Sequence, residues 1–140
     1  MQSKEENNII FARLMPKDDL VEKIKQTCKK HDISSGVILS GIGQLQMAEL
    51  GYFKEKGNYS PEKFEKPMEI LNLSGNICKQ RDEYLPHLHI VLGDDKKNAI
   101  GGHLLNGTVS VTAEIVIFKT DVTFRRETDG KTGLKNMILE

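Results

Sequence analysis

Only one stretch of this chain keeps its apolar residues at helical spacing. Nearly everywhere else they alternate with polar ones or run in short blocks bounded by turn residues. The helical stretch follows Met15-Pro16. Asp18 or Asp19 is placed to cap it by accepting from free backbone N–H groups, and Leu20, Val21, Ile24 and Cys28 then share one face. Lys29 and Lys30 fall near its end, where the helix dipole favours cations. His31, just past that end, reads as a solvated residue.

The remainder reads as strands. Asn8–Leu14 precedes the helix. Gly36–Ser40 and Gln46–Lys54 follow it, and Gly41 and Gly43 between them signal a bulge or a crowded backbone approach. In Met68–Cys78, Leu71, Leu73 and Ile77 alternate with Asn72, Ser74 and Asn76, the pattern of a half-buried strand. After a charged turn at Lys79–Glu83, His87–Leu92 and Ala99–Leu105 make two arms of a hairpin turned at Gly93–Asn98. Asn106-Gly107 predicts a tight turn, and Thr108–Thr123 is the longest β-rich segment. Glu55–Pro67 is polar and turn-rich, a lid or an edge. The tail from Arg125 is polar up to Leu134. Seven or eight strands with one helix predict an α+β fold with a mainly antiparallel sheet of about seven strands. The expectation is one domain over residues 1–140 with its core between 8 and 139.

Charge narrows the partners. The chain carries 20 basic and 20 acidic residues, a formal net charge of zero, so the phosphate attraction behind non-specific nucleic-acid affinity is missing. The one basic cluster, Lys119 with Arg125 and Arg126, is diluted by Asp121, Glu127 and Asp129, which makes DNA binding doubtful. No apolar stretch approaches the ~20 residues needed to cross a bilayer, and Met1–Glu6 lacks the apolar core of a secretory signal. Cys28 and Cys78 stand far apart and in no CxxC pair. They read as buried thiols of a reducing compartment, and the expected location is the cytoplasm.

Three of the 4 histidines, His87, His89 and His103, lie within a span of 17 residues. On a strand, residues two apart project from one face, so His87 and His89 point together while Leu88, Ile90 and Leu92 turn to the core. Pairing Val91 or Leu92 with residues near Ala99 or Ile100 brings His103 beside them. Three converging imidazoles match a first-row metal site, with zinc the default and nickel, copper or cobalt alternatives. Three protein ligands leave one position for water or a small ligand, as in catalytic zinc sites, where the bound water reaches a pKa of about 7. Gly102, next to His103, permits close backbone approach. Glu114 has two readings: an acceptor that orients a ligand or a bound water, or an outward-facing solvated carboxylate. A cupin signature fails, because Leu92 and Gly93 stand where its Glu would follow His89, and no phosphate-cradling glycine loop is present.

The combination of Gly41-Ile42-Gly43, the run from Glu69 to Ile77, Pro86-His87-Leu88-His89, Leu92-Gly93-Asp94, Gly101-Gly102-His103-Leu104 and Ala113-Glu114-Ile115-Val116-Ile117 resembles the PPC domain, "plants and prokaryotes conserved". The resemblance runs from about Phe11 to Leu139 and is to the stand-alone prokaryotic type. It implies a compact α+β domain with an antiparallel sheet, usually a homotrimer, whose three histidines form a zinc-type site. In plants the domain mediates self-association and partner contacts while separate AT-hooks hold the DNA. No Arg-Gly-Arg-Pro hook occurs here. Three functions follow as alternatives: a metal-binding oligomer with a small-molecule ligand or an undefined enzymatic role, a scaffold with a structural metal, and a DNA-binding regulator.

Overall fold

The computed structural model describes all residues, Met1–Glu140. Strands β1 (Gln2–Glu6) and β2 (Ile9–Leu14) precede helix α1 (Leu20–Lys30). Strands β3 (Ser35–Gly51), β4 (Glu62–Phe64), β5 (Met68–Gln80), β6 (Glu83–Gly93) and β7 (Ala99–Thr120) follow, and β8 (Phe124–Thr128) and β9 (Lys135–Leu139) close the chain. The first seven strands form one sheet in the order β1-β2-β7-β6-β5-β3-β4, and β8 and β9 form a separate two-stranded sheet. Every pairing is antiparallel. Because β3 also pairs with β7, strands β3, β5, β6 and β7 make a closed circuit. The α+β class and the seven-stranded antiparallel sheet are as the sequence predicts.

Alternation fills the interior. In β2 the residues Ile10, Ala12 and Leu14 are buried while Ile9, Phe11 and Arg13 face outward. Leu73 and Ile77 of β5, Leu88, Ile90 and Leu92 of β6, and Ile115 and Ile117 of β7 join Leu20, Ile24 and Cys28 of α1 in one cluster of 23 buried residues. Each fully buried Leu or Ile side chain contributes about 1.5–3 kcal/mol as an upper estimate. The helix begins as its sequence indicates: Asp19 is the N-cap, and its carboxylate accepts from the Glu22 N–H at 2.9 Å.

Several boundaries differ from expectation. Gly36–Ser40 and Gln46–Lys54 are not two strands. Gly36–Ser40 and residues up to Gly51 belong to one, β3, which runs through Gly41-Ile42-Gly43 with register shifts on either side, and Tyr52–Lys54 lie beyond its end. Gly43 has φ of 141°, and a Cβ there would lie 2.2 Å from the Thr112 carbonyl oxygen, so the crowded approach is real. Asn106-Gly107 makes no tight turn. Both residues pair with β3, Asn106 with Glu49 and Gly107 with Ala48, so a long cross-strand ladder overrides the local turn preference. Glu55–Pro67 contributes an edge strand, β4. Strands β1, β8 and β9 were not expected: β1 is polar throughout and pairs with β2 alone, and β8 and β9 are short and pair only with each other. β1 also changes the reading of His31. The ring nitrogens lie 2.9 Å from Ser3 Oγ and 3.2 Å from Glu5 Oε2, and the side chain is only 11% exposed, not solvated.

Candidate metal centre

The β6–β7 hairpin carries all three histidines. Its turn is fixed by Asp94, whose Oδ1 accepts from the backbone N–H of Lys96 at 3.0 Å and of Asn98 at 2.9 Å. That turn sets the register Leu92 to Ile100 and therefore His89 directly opposite His103. Directly opposed residues have Cβ atoms about 4.5–5.5 Å apart, within reach for two imidazoles to share a ligand. His87 joins them from the same face of β6, and Leu88, Ile90 and Leu92 are buried behind.

The strand behind the cluster is shaped to let β6 come close. Gly75 of β5 faces Leu88, between the pairs Ser74–His89 and Asn76–His87. Its φ is 147°, and a Cβ there would lie 2.0 Å from the His87 carbonyl oxygen. Only glycine satisfies both constraints. Gly102, paired with Ile90, sits beside His103, and a Cβ there would meet the Gly51 carbonyl oxygen at 3.0 Å.

The three rings converge. Centroids are 5.2 Å apart for His87–His89, 5.2 Å for His87–His103 and 5.4 Å for His89–His103. One ligand atom from each ring lies within 4.8 Å of the others. His87 Nε2 and His89 Nε2 are 3.2 Å apart, so they either share one proton or face one ion. Two nitrogens bound at 2.0–2.1 Å in a tetrahedral site stand about 3.3 Å apart. His103 Nδ1 is buried with no hydrogen-bond partner, an omission that costs about 1–3 kcal/mol unless something takes the nitrogen. Burial, reinforced by the charges of His87 and His89, holds His103 down at about 4. His87 is also lowered, by burial first, then by Arg126 and His89. Neutral imidazoles have the free lone pair that metal ligation requires, so the donor set fits a divalent ion.

The surroundings were not all legible beforehand. Tyr59, from the turn-rich segment after β3, meets the His103 ring edge-on at 5.3 Å between centroids. It lies over Gly51, where a Cβ would stand 2.4 Å from its ring. A cavity of about 440 Å³ opens beside the cluster, lined by His87, His103, Tyr59 and Arg126 among others. Arg126 reaches it from β8, and no spacing signal in the sequence connects it with the histidines. Within this chain Glu114 is not among the residues around the histidines. Ten residues stand between it and His103 along β7, and its cross-strand partners are Arg13 and Ile42. It is exposed and lines another surface depression with Phe11, Ser40 and Ile42.

The chain has relatives of the same fold. It belongs to the Plants and Prokaryotes Conserved (PCC) domain family, the family called PPC above, whose model matches residues 1–121. A structure from Bacteroides thetaiotaomicron, described as a candidate DNA-binding protein, is similar at 29% identity with a TM-score of 0.91, covering 98% of this chain and 96% of that one. A protein from Archaeoglobus fulgidus, described as metal-containing, is 30% identical with a TM-score of 0.84, covering 96% of this chain and 95% of that one. The bifunctional protein GlmU of a Synechococcus strain is 31% identical over 130 residues, 91% of this chain. The chain spans only 20% of that curated relative's length. No helix is long and apolar enough to cross a membrane.

Proposed function

We propose that His87, His89 and His103 hold one divalent ion in a homotrimeric, cytoplasmic PCC domain that takes a small-molecule ligand beside the ion. Zinc is the best match to three imidazoles. The observation that carries this reading is the convergence of one nitrogen from each ring to within 4.8 Å, with His103 Nδ1 left unpartnered. The metal-containing description of the Archaeoglobus relative points the same way. A bound zinc would supply Lewis acidity and an activated water, with a fourth position open to a ligand. The protein's own part is to favour the neutral form of His87 and His103, aim the three rings from two adjacent strands and cover one side of His103 with Tyr59.

Assembly is supported by the outward face of the sheet. Phe11 is 64% exposed, Leu39 54% and Ile42 50%, and they flank Val116, which pairs with both Phe11 and Ser40. Apolar side chains gathered this way favour contact with another copy. Cys28 and Cys78 are free and buried, which suits a reducing compartment. The test is elemental analysis after zinc supplementation: about one equivalent per chain in the parent, and below about a tenth in His89→Ala. Light scattering of the same samples reads the trimer. A parent protein with under a tenth of an equivalent overturns the metal reading.

DNA binding has one observation in its favour, the description of the Bacteroides relative. The balanced charge of 20 against 20 opposes it. The expected result is no retardation of duplex DNA by micromolar protein at about 50 mM salt, where phosphate contacts are strong.

A further inference from the structure

Arg126 is placed unlike any other cation of this protein. It is only 8% exposed, yet none of the ion pairs includes it. A buried charge without a counter-charge is strongly unfavourable, so its retention calls for a partner. The contacts it does make position it without neutralising it. Its backbone N–H donates to Gln80 Oε1 at 2.8 Å, its guanidinium donates to Asn76 Oδ1, and its guanidinium carbon lies 5.6 Å from the centre of the Phe124 ring. Asn76 is itself the cross-strand partner of His87. The guanidinium is thus tied to the strand position opposite one of the three histidines.

The cavity it lines has a one-sided charge. Lys25, Arg126 and Lys135 are all on its wall and no Asp or Glu is; Lys25 is paired with Glu22 at 2.7 Å, which leaves Arg126 and Lys135 as the cations of the wall without an acidic partner, although the whole chain has equal numbers of acidic and basic residues. A low-dielectric cleft lined by one sign of charge concentrates the opposite one. Its volume, about 440 Å³, is within the ~300–1,000 Å³ range of small-molecule sites. Tyr84 and Leu105 add apolar and aromatic wall.

We propose that this cleft binds a small organic anion whose carboxylate or phosphate pairs with Arg126, with Lys135 assisting, and whose remainder extends toward His87 and His103. The planar fork of arginine fits both oxyanions through two parallel N–H donors, and the side-chain groups it engages, Asn76 Oδ1 and the Cys78 thiol, are both neutral. The orientation toward the histidines deepens the metal reading and rests on it. The anion site at Arg126 does not, because its residues lie on β8 and β9. The family match ends at residue 121, before this hairpin begins.

The test uses the 140-residue chain without zinc, so that no anion can bind through the ion. Inorganic phosphate and malonate are titrated separately at low salt, following the Arg126 side-chain Nε–H resonance by NMR and affinity by calorimetry. The expected result is a saturable shift of that resonance with at least one anion, and the stronger binder tells phosphate from carboxylate. Affinity falls at least tenfold in Arg126→Met, and by less in Arg126→Lys and Lys135→Gln. A flat Arg126 resonance with both anions up to tens of millimolar overturns the proposal. So does equal affinity in parent and Arg126→Met. Should Arg126→Met fail to fold, the parent resonance and Arg126→Lys decide. Zinc uptake is measured apart from this, so a chain that loads zinc and ignores both anions loses this proposal and keeps the histidine reading, and the converse holds equally.

Discussion

Two hairpins meet at the same cavity and contribute opposite things. The β6–β7 hairpin is woven into the main sheet and presents three imidazoles, two of them held below their usual protonation range. The β8–β9 hairpin forms its own small sheet and delivers cations, Arg126 and Lys135, to the other wall. In the first, position follows from register: a turn at Asp94 and a two-residue period decide where three rings go. In the second, position follows from docking, through one backbone bond to Gln80 and one side-chain bond to Asn76. Ligand geometry is set locally, and the charge around it is set by tertiary contact.

The largest expected effect breaks the first hairpin's role alone. His89→Ala removes the metal yet leaves the metal-free fold within about 0.5 kcal/mol of the parent, because the side chain is exposed. Metal analysis beside a urea titration of the chelated protein checks both halves. Next comes Gly75→Val, which places a Cβ against the His87 carbonyl oxygen at a φ that favours glycine. It should cost at least ~3 kcal/mol in the urea titration and weaken metal uptake. A variant that unfolds like the parent would show that β5 and β6 need no such close approach.

A pH series sharpens the contrast between neutral rings and charged wall. His103 has a folded pKa of about 4 against an ordinary 6.5. A lowered folded pKa means the unfolded chain binds the proton more tightly, so stability is full above about 6.5 and is lost as pH falls toward 4. Urea midpoints of the metal-free protein should drop across that window, and the drop should shrink in His103→Gln. Equal slopes would show that the ring is not held neutral. The smallest effect joins the two hairpins: Arg126→Met should raise the pKa of His87 in the metal-free protein, since the guanidinium is one cause of its lowering. An NMR titration of the His87 ring reads the direction.

Much of the fold and the heart of the site were legible because they depend on residues near one another in sequence. Leu88, Ile90 and Leu92 alternate with His87 and His89, so the inward face names the outward one. The helix advertises its cap at Asp19. Failures came where distant chain decides. Asn106-Gly107 has turn chemistry, yet its pairing with Glu49 and Ala48 keeps the strand extended. Polar β1 turns His31 into a half-buried hydrogen-bonded residue. Glu114 looked suspicious as a charge among apolar neighbours, and within this chain it stands across from Arg13 and Ile42 rather than beside the histidines. Tyr59 and Arg126 gave no signal, since neither has a spacing relation to the ligands they approach.

X-ray absorption at the zinc edge of the loaded protein reads the atoms bound to the ion. Three imidazole nitrogens at about 2.0–2.1 Å are expected, with one further light atom, and loss of the imidazole signature in His89→Ala. A sulfur shell near 2.3 Å, or a spectrum unchanged in His89→Ala, would contradict the three-histidine site.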